Sequence, residues 1–243
     1  GVTHDDILEI ANLLAKKKIL ILYGEVISKD IEAIISLINL TLLTGSIGVK
    51  GGGVIPLLKG NNEQGALDMG LSSHLLPGGK DFLDFRIRGA FEETWKITLP
   101  ENVGLTTLEM FSWAKDRKIK AMYIVGANPL ESLPDPNIVK DGLNCLDFLV
   151  VQDMFMTETA NFADVVLPSA SFAEKEGSFT SLERRIQKIK SAIKPVGESM
   201  PDWEIISELS KKMGYFMNYT SPQDVMEEIS HLVPSYRGVG YDK

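Results

Sequence analysis

Four short aliphatic runs constrain the fold of this chain more than any other feature. ILILY (19–23), the centre of KIKAMYIVGANP (118–129), DFLVVQD (147–153) and ADVVLPS (163–169) read as buried parallel strands. Each run stops abruptly, at Gly24-Glu25, Gly126-Ala127-Asn128, Gln152-Asp153 and Pro168-Ser169. Pro168 cannot continue a central ladder. Helical stripes alternate with the runs. Ile7, Leu8, Ala11, Leu14 and Ala15 follow a Thr3 cap, with Lys16–Lys18 expected in the last turn. Ile31, Ile34, Ile35, Ile38 and Leu42 end at Thr44-Gly45, and a short helix is expected over 136–142. Strands alternating with helices predict an α/β fold built on a parallel, doubly wound, Rossmann-like sheet. In such sheets ligands bind beyond the carboxyl ends of the strands, so the four strand ends are the first candidates for a site.

Elsewhere the pattern changes. Residues 157–162 suggest one or two helical turns, and 174–195 a hairpin or ribbon. Helices are expected over 201–213, closed by Gly214, and from Ser221-Pro222 through Ile229. Pro77-Gly78-Gly79 marks a turn, but the aromatic residues Phe82, Phe85, Phe91 and Trp95 have no clear period, so 71–117 reads as irregular. The densest glycine cluster is GVKGGGVIPLLKGNNEQGALDMG (48–70), with seven of the chain's 21 glycines. Its backbone can approach an anion or a flat ring closely, and Asn61, Asn62 and Gln64 offer both donors and acceptors.

Several chemistries are disfavoured. The net charge of −8 argues against a nucleic-acid partner. The single cysteine, Cys145, permits no disulfide framework and no CxxC metal motif, and three dispersed histidines have no ligand spacing, so no metal ligand is assigned. No apolar run reaches the ~20 residues of a membrane helix, and the reading is of a cytoplasmic chain, membrane-associated only through partner subunits. GxGxxG is absent after the first strand, and GNNEQG (60–65) lacks the Lys-Ser of a phosphate-binding loop.

Five blocks resemble the molybdopterin-guanine-dinucleotide oxidoreductases in their formate dehydrogenase branch: 17–27, 42–70, 119–130, 148–187 and 201–215. The block 148–187, FLVVQDMFMTETANFADVVLPSASFAEKEGSFTSLERRIQ, is the most specific. The resemblance implies units like domains 1–3 of formate dehydrogenase. Residues 1–60 would end one α/β lobe, 61–220 form a second, cofactor-binding lobe, and 221–243 a C-terminal helix and tail. The chain would cross between lobes at residues 58–62 and leave an exposed edge strand. The implied cofactor is bis-molybdopterin guanine dinucleotide with molybdenum or tungsten, and an iron–sulfur cluster is expected only in a preceding part of the parent protein. The implied partners are the rest of that polypeptide, including a cluster domain and a C-terminal barrel, and electron-transfer subunits. By itself the chain is expected to be inactive.

The same resemblance assigns residues. Gly126, Asn128, Pro129, Gln152 and Asp153 would hold a guanosine diphosphate portion, with Thr157 and Thr159 near phosphate or ribose. Asp153 can accept from guanine N1–H and N2–H₂ together. Gly24, Glu25, Gly60 and Asn61 would face the second cofactor. Lys59 stands where formate dehydrogenases typically carry arginine in Val-Arg-Gly-Gln-Asn-Asn, and is the catalytic candidate. Lysine keeps the charge but not the bidentate fork, and Asn61 is one methylene shorter than glutamine. A substrate other than formate is compatible with these departures. Two other readings remain: the metal-free scaffold domain of the large iron–sulfur subunit of NADH:quinone oxidoreductase, and a module for another nucleotide.

Overall fold

A computed structural model describes residues 1–57 and 59–242. Leu58, the first residue of the expected crossover, and Lys243 lie outside the described residues. The chain divides into two compact units, Gly1–Ala66 with Phe179–Gln187, and Leu67–Ser178 with Lys188–Lys243.

The first unit opens with α1 (His4–Leu14), where Thr3 and Asp6 form a reciprocal capping box. The helix stops before Lys16–Lys18, so those charges fall beyond its last turn. Next come β1 (Leu20–Tyr23), the single turn α2 (Glu25–Ser28) and α3 (Ile31–Leu43), which Asp30 caps through Ala33 N–H at 3.0 Å. The glycine cluster then contains a strand that its composition hid, β2 (Gly53–Pro56). β2 pairs parallel with β1, from Leu20↔Gly53 to Tyr23↔Pro56. Val54 and Ile55 supply β-branched residues, and Pro56 ends the pairing where the strand ends anyway. The short helix α4 (Glu63–Asp68) follows. Ile19 is the only buried large apolar side chain among the unit's described residues, and Ser46 accepts from its N–H at 3.0 Å.

The second unit begins with the two-residue strands β3 (Leu75–Leu76) and β4 (Lys80–Asp81), an antiparallel hairpin around Pro77–Gly79. The segment expected to be irregular contains two helices among turns and irregular backbone. α5 (Phe85–Trp95) is capped by Asp84, and α6 (Thr107–Lys115) starts with a Thr106–Glu109 capping box. Three parallel strands follow, β5 (Ala121–Val125), β6 (Phe148–Asp153) and β7 (Val165–Pro168), in the spatial order 5-6-7. Between β5 and β6 lie α7 (Pro129–Ser132) and α8 (Pro136–Asn144). Ile124, Leu149 and Val151 from the sheet meet Phe111 of α6 and Val139 and Leu143 of α8 in the core. The expected ribbon is the strand pair β8 (Gly177–Thr180) and β9 (Ile186–Ile189), whose stretch Phe179–Gln187 belongs to the first unit. α9 (Asp202–Lys212) and α10 (Pro222–Leu232) follow, the latter with a Ser221–Asp224 capping box, and a short 3-10 turn spans Pro234–Tyr236. The architecture is α/β with parallel sheets, as the strand pattern predicts.

Candidate functional site

In the second unit the candidate residues gather where β5, β6 and β7 end. Parallel pairing brings Val125 opposite Gln152 and Asp153 opposite Pro168. Gly126, the first residue past β5, has φ +60° and donates its N–H to Gln152 O at 2.8 Å. A Cβ there would meet nothing within 4 Å, so the strand end opens onto space. Asn128 ties this turn to the segment after β6: its Oδ1 accepts from Thr159 N at 3.2 Å and Thr159 Oγ1 at 2.6 Å. Pro129 is buried at the start of α7. Thr159 is wholly buried and Thr157 caps Ala160 N–H at 3.1 Å, so both hydroxyls organise the loop beneath the opening. Asp153 is half-buried, and its Oδ1 accepts from Phe155 N at 3.0 Å. Beside it Met154, Phe155 and Met156 stand exposed, an apolar rim at a strand end.

Gln152 is placed differently from its neighbours. It is fully buried, its Oε1 accepts from the Tyr123 hydroxyl, and its Nε2 donates to Asp202 Oδ1 at 2.7 Å. Its side chain therefore braces the site from below and presents nothing to the opening. Asp202, at the first turn of α9, is the residue that sequence reasoning missed. Ser169 Oγ donates to its Oδ1 at 2.9 Å, and Lys175 pairs with its Oδ2. Burial alone would raise the Asp202 pKa, but the bonds from Lys175 and Gln152, the Lys175 charge and the Ser169 hydroxyl outweigh it and hold the carboxyl below its ordinary range. Burial, then the Asp202 charge, pushes the Tyr123 phenol up. Its local signal is the Pro-Asp start of a helix, and its partners are 27, 33 and 50 residues away.

In the first unit the other candidates gather at the end of the β1–β2 pair. Gly24 caps α2, and a Cβ there would also meet open space. Glu25 Oε1 lies 3.2 Å from Lys29 Nζ, and its Oε2 lies 3.6 Å from Lys59 Nζ. The hydrogen bond and charge of Lys29, then the charge of Lys59, lower the Glu25 pKa. Gly60 N donates to Glu63 Oε1 at 2.9 Å, and Asn61 is exposed. Asn62 is structural: its Oδ1 accepts from Thr180 N at 2.9 Å. Among the described residues no cluster of His, Cys, Asp or Glu side chains is arranged to hold a metal ion, and no helix is long and apolar enough to cross a membrane.

The strand ends of the second unit present open backbone, a half-buried carboxylate and an apolar rim, features that suit a hydrogen-bonding ring ligand. The sequence pattern of the molybdopterin oxidoreductase family matches residues 8–212. The chain is 47% identical over 216 residues to the F420-dependent formate dehydrogenase subunit alpha of Methanocaldococcus jannaschii, covering 88% of this chain and 32% of that protein. It is 44% identical to the probable oxidoreductase YjgC of Bacillus subtilis, over 84% of this chain and 21% of that one. With formate dehydrogenase H of Escherichia coli it shares 36% identity over 100% of this chain and 35% of that one. Among solved structures, acetylene hydratase from Pelobacter acetylenicus matches 66% of this chain and 24% of that one, with a TM-score of 0.49 and 21% identity. The chain thus spans between about a fifth and about a third of the length of these curated relatives. It belongs to the molybdopterin oxidoreductase family.

Proposed function

We propose that this chain is the guanine-dinucleotide-binding region of a molybdenum or tungsten enzyme that oxidises formate or a similarly small anion. The observation that carries the reading is the open strand-end cradle of Gly126, Asn128 and Asp153, in a chain whose relatives are formate dehydrogenases. When bound, the cofactor supplies a metal centre that accepts two electrons. The chain's own residues bind and orient. Asp153 receives the two adjacent N–H donors of guanine, a pattern adenine lacks. Asn128 and Thr159 hold the β5 turn in register with the loop carrying Thr157, and Gln152 and Asp202 brace that loop from within. Gly24, Glu25, Gly60 and Asn61 border the second cofactor, and the exposed Lys59 ammonium orients the anionic substrate. An iron–sulfur cluster, a C-terminal barrel and electron-transfer subunits belong to the remainder of the assembly. The relatives' lengths, of which this chain spans about a fifth to a third, leave room for such further parts.

Calorimetry of the chain with GDP and ADP tests the guanine assignment. GDP is expected to bind at least tenfold more tightly, and Asp153→Ala to abolish the preference, a loss of about 1.4 kcal/mol or more. Equal affinities, or a preference that survives in Asp153→Ala, would remove Asp153 from this role.

A further inference from the structure

Glu25 follows β1 and Lys59 lies just beyond β2, and the parallel register sets these strand ends side by side. Glu25 meets its two cations through different oxygens, Oε1 toward Lys29 and Oε2 toward Lys59, so both contacts stand together. Lys29 sits four residues on, the spacing at which helical neighbours face each other. Lys59 is 84% exposed, so packing does not fix its long side chain. Among the described residues the Glu25 carboxylate is the one group shown to restrain it, and that carboxylate is shared.

We propose that Glu25 is a positioning residue for Lys59, and that Lys29 sets the strength of the tether by taking part of the same carboxylate. Two ammonium groups and one carboxylate leave the cluster a net charge of about +1, suited to a small monoanion. An anion reaching Lys59 competes with Glu25 for its ammonium. Lys29, 3.2 Å from Glu25, keeps the displaced carboxylate paired. For the identity of the anion this rests on the reading of Lys59 given above; the tether itself does not.

Trace acetylation of the 243-residue chain with acetic anhydride, quantified by mass spectrometry, reads the tether directly. The exposed Lys16–Lys18 serve as internal standards. Glu25→Gln is expected to raise the Lys59 rate about two- to fourfold, the range an exposed ion pair supports. Lys29→Gln is expected to lower it, because the undivided carboxylate then serves Lys59 alone, and Lys29→Arg to restore the original rate. General loosening of the loop would raise the rate in both variants. An unchanged rate in Glu25→Gln, or a rise in Lys29→Gln, overturns the proposal. Protection of Lys59 by sodium formate tests the substrate reading separately: no protection alongside the expected labelling pattern counts against formate and supports the tether.

Discussion

Asp202 shows how a single carboxylate can anchor the end of a sheet. It gathers Gln152 from β6, Ser169 from beyond β7 and Lys175 from the start of the ribbon. Its lowered pKa means that folding favours the ionised form. The resulting stabilisation is complete above the ordinary aspartate value of about 3.9 and is lost as pH falls through the lower folded value. Asp202→Asn is expected to cost about 1–3 kcal/mol at pH 7, since Lys175 loses its ionic partner while partly buried. The gap from the native chain should narrow as pH falls from about 4 through the lower folded value, where the native carboxyl protonates too. All three tryptophans, Trp95, Trp113 and Trp203, lie in the second unit, so urea titrations followed by tryptophan fluorescence at pH 7 and pH 3 report on the relevant unit. A gap that is the same at both pH values would dissociate Asp202 from the acid sensitivity. None of this network was legible from spacing, because a hydrogen bond across 50 residues leaves no local pattern.

Elements were legible where local chemistry specified them. The Thr3, Ser221 and Pro201 starts, the Gly214 stop and the Pro168 strand end all lie where the sequence puts them, because caps and proline act within a few residues. α5 and α6 were lost among aromatic residues without a period, although Thr106 and Glu109 spell a capping box that marks the start of α6. β2 was hidden by the glycines around it, since only its pairing with β1 makes four residues into a strand. Element packing makes its own prediction at Gly142 of α8. A Cβ there would sit 2.7 Å from Phe111 O of α6, against backbone that cannot swing aside. An Ala for Gly exchange on an exposed helix gains up to about 1 kcal/mol. Here Gly142→Ala should instead destabilise by about 1–3 kcal/mol through overpacking. A raised thermal midpoint in that variant would mean that α6 and α8 do not approach this closely.

At the scale of the molecule the two units differ in how much they bury. The second has a core drawn from three strands and two helices, whereas the first has Ile19 alone among its described large apolar residues. Ile7, Leu8, Leu20, Leu22, Ile31 and Leu42 remain exposed on elements whose stripes had suggested burial. Hydrogen exchange should therefore run at least a hundredfold faster in β1 and β2 than at Leu149–Val151 of β6, a difference of about 2.7 kcal/mol in local opening. Equal protection would show that the first unit is stabilised by something other than its own apolar contacts. The sequence by itself determined the fold class, most element ends and the family, because periodicity, caps and strand-stop residues are local and the matching blocks are long. Tertiary structure alone decided which side chains serve the site: it turned Gln152 inward, brought Asp202 to Ser169 and Lys175, and set Glu25 between two lysines. Those roles depend on distances between residues far apart in the chain, and on how far each is removed from water.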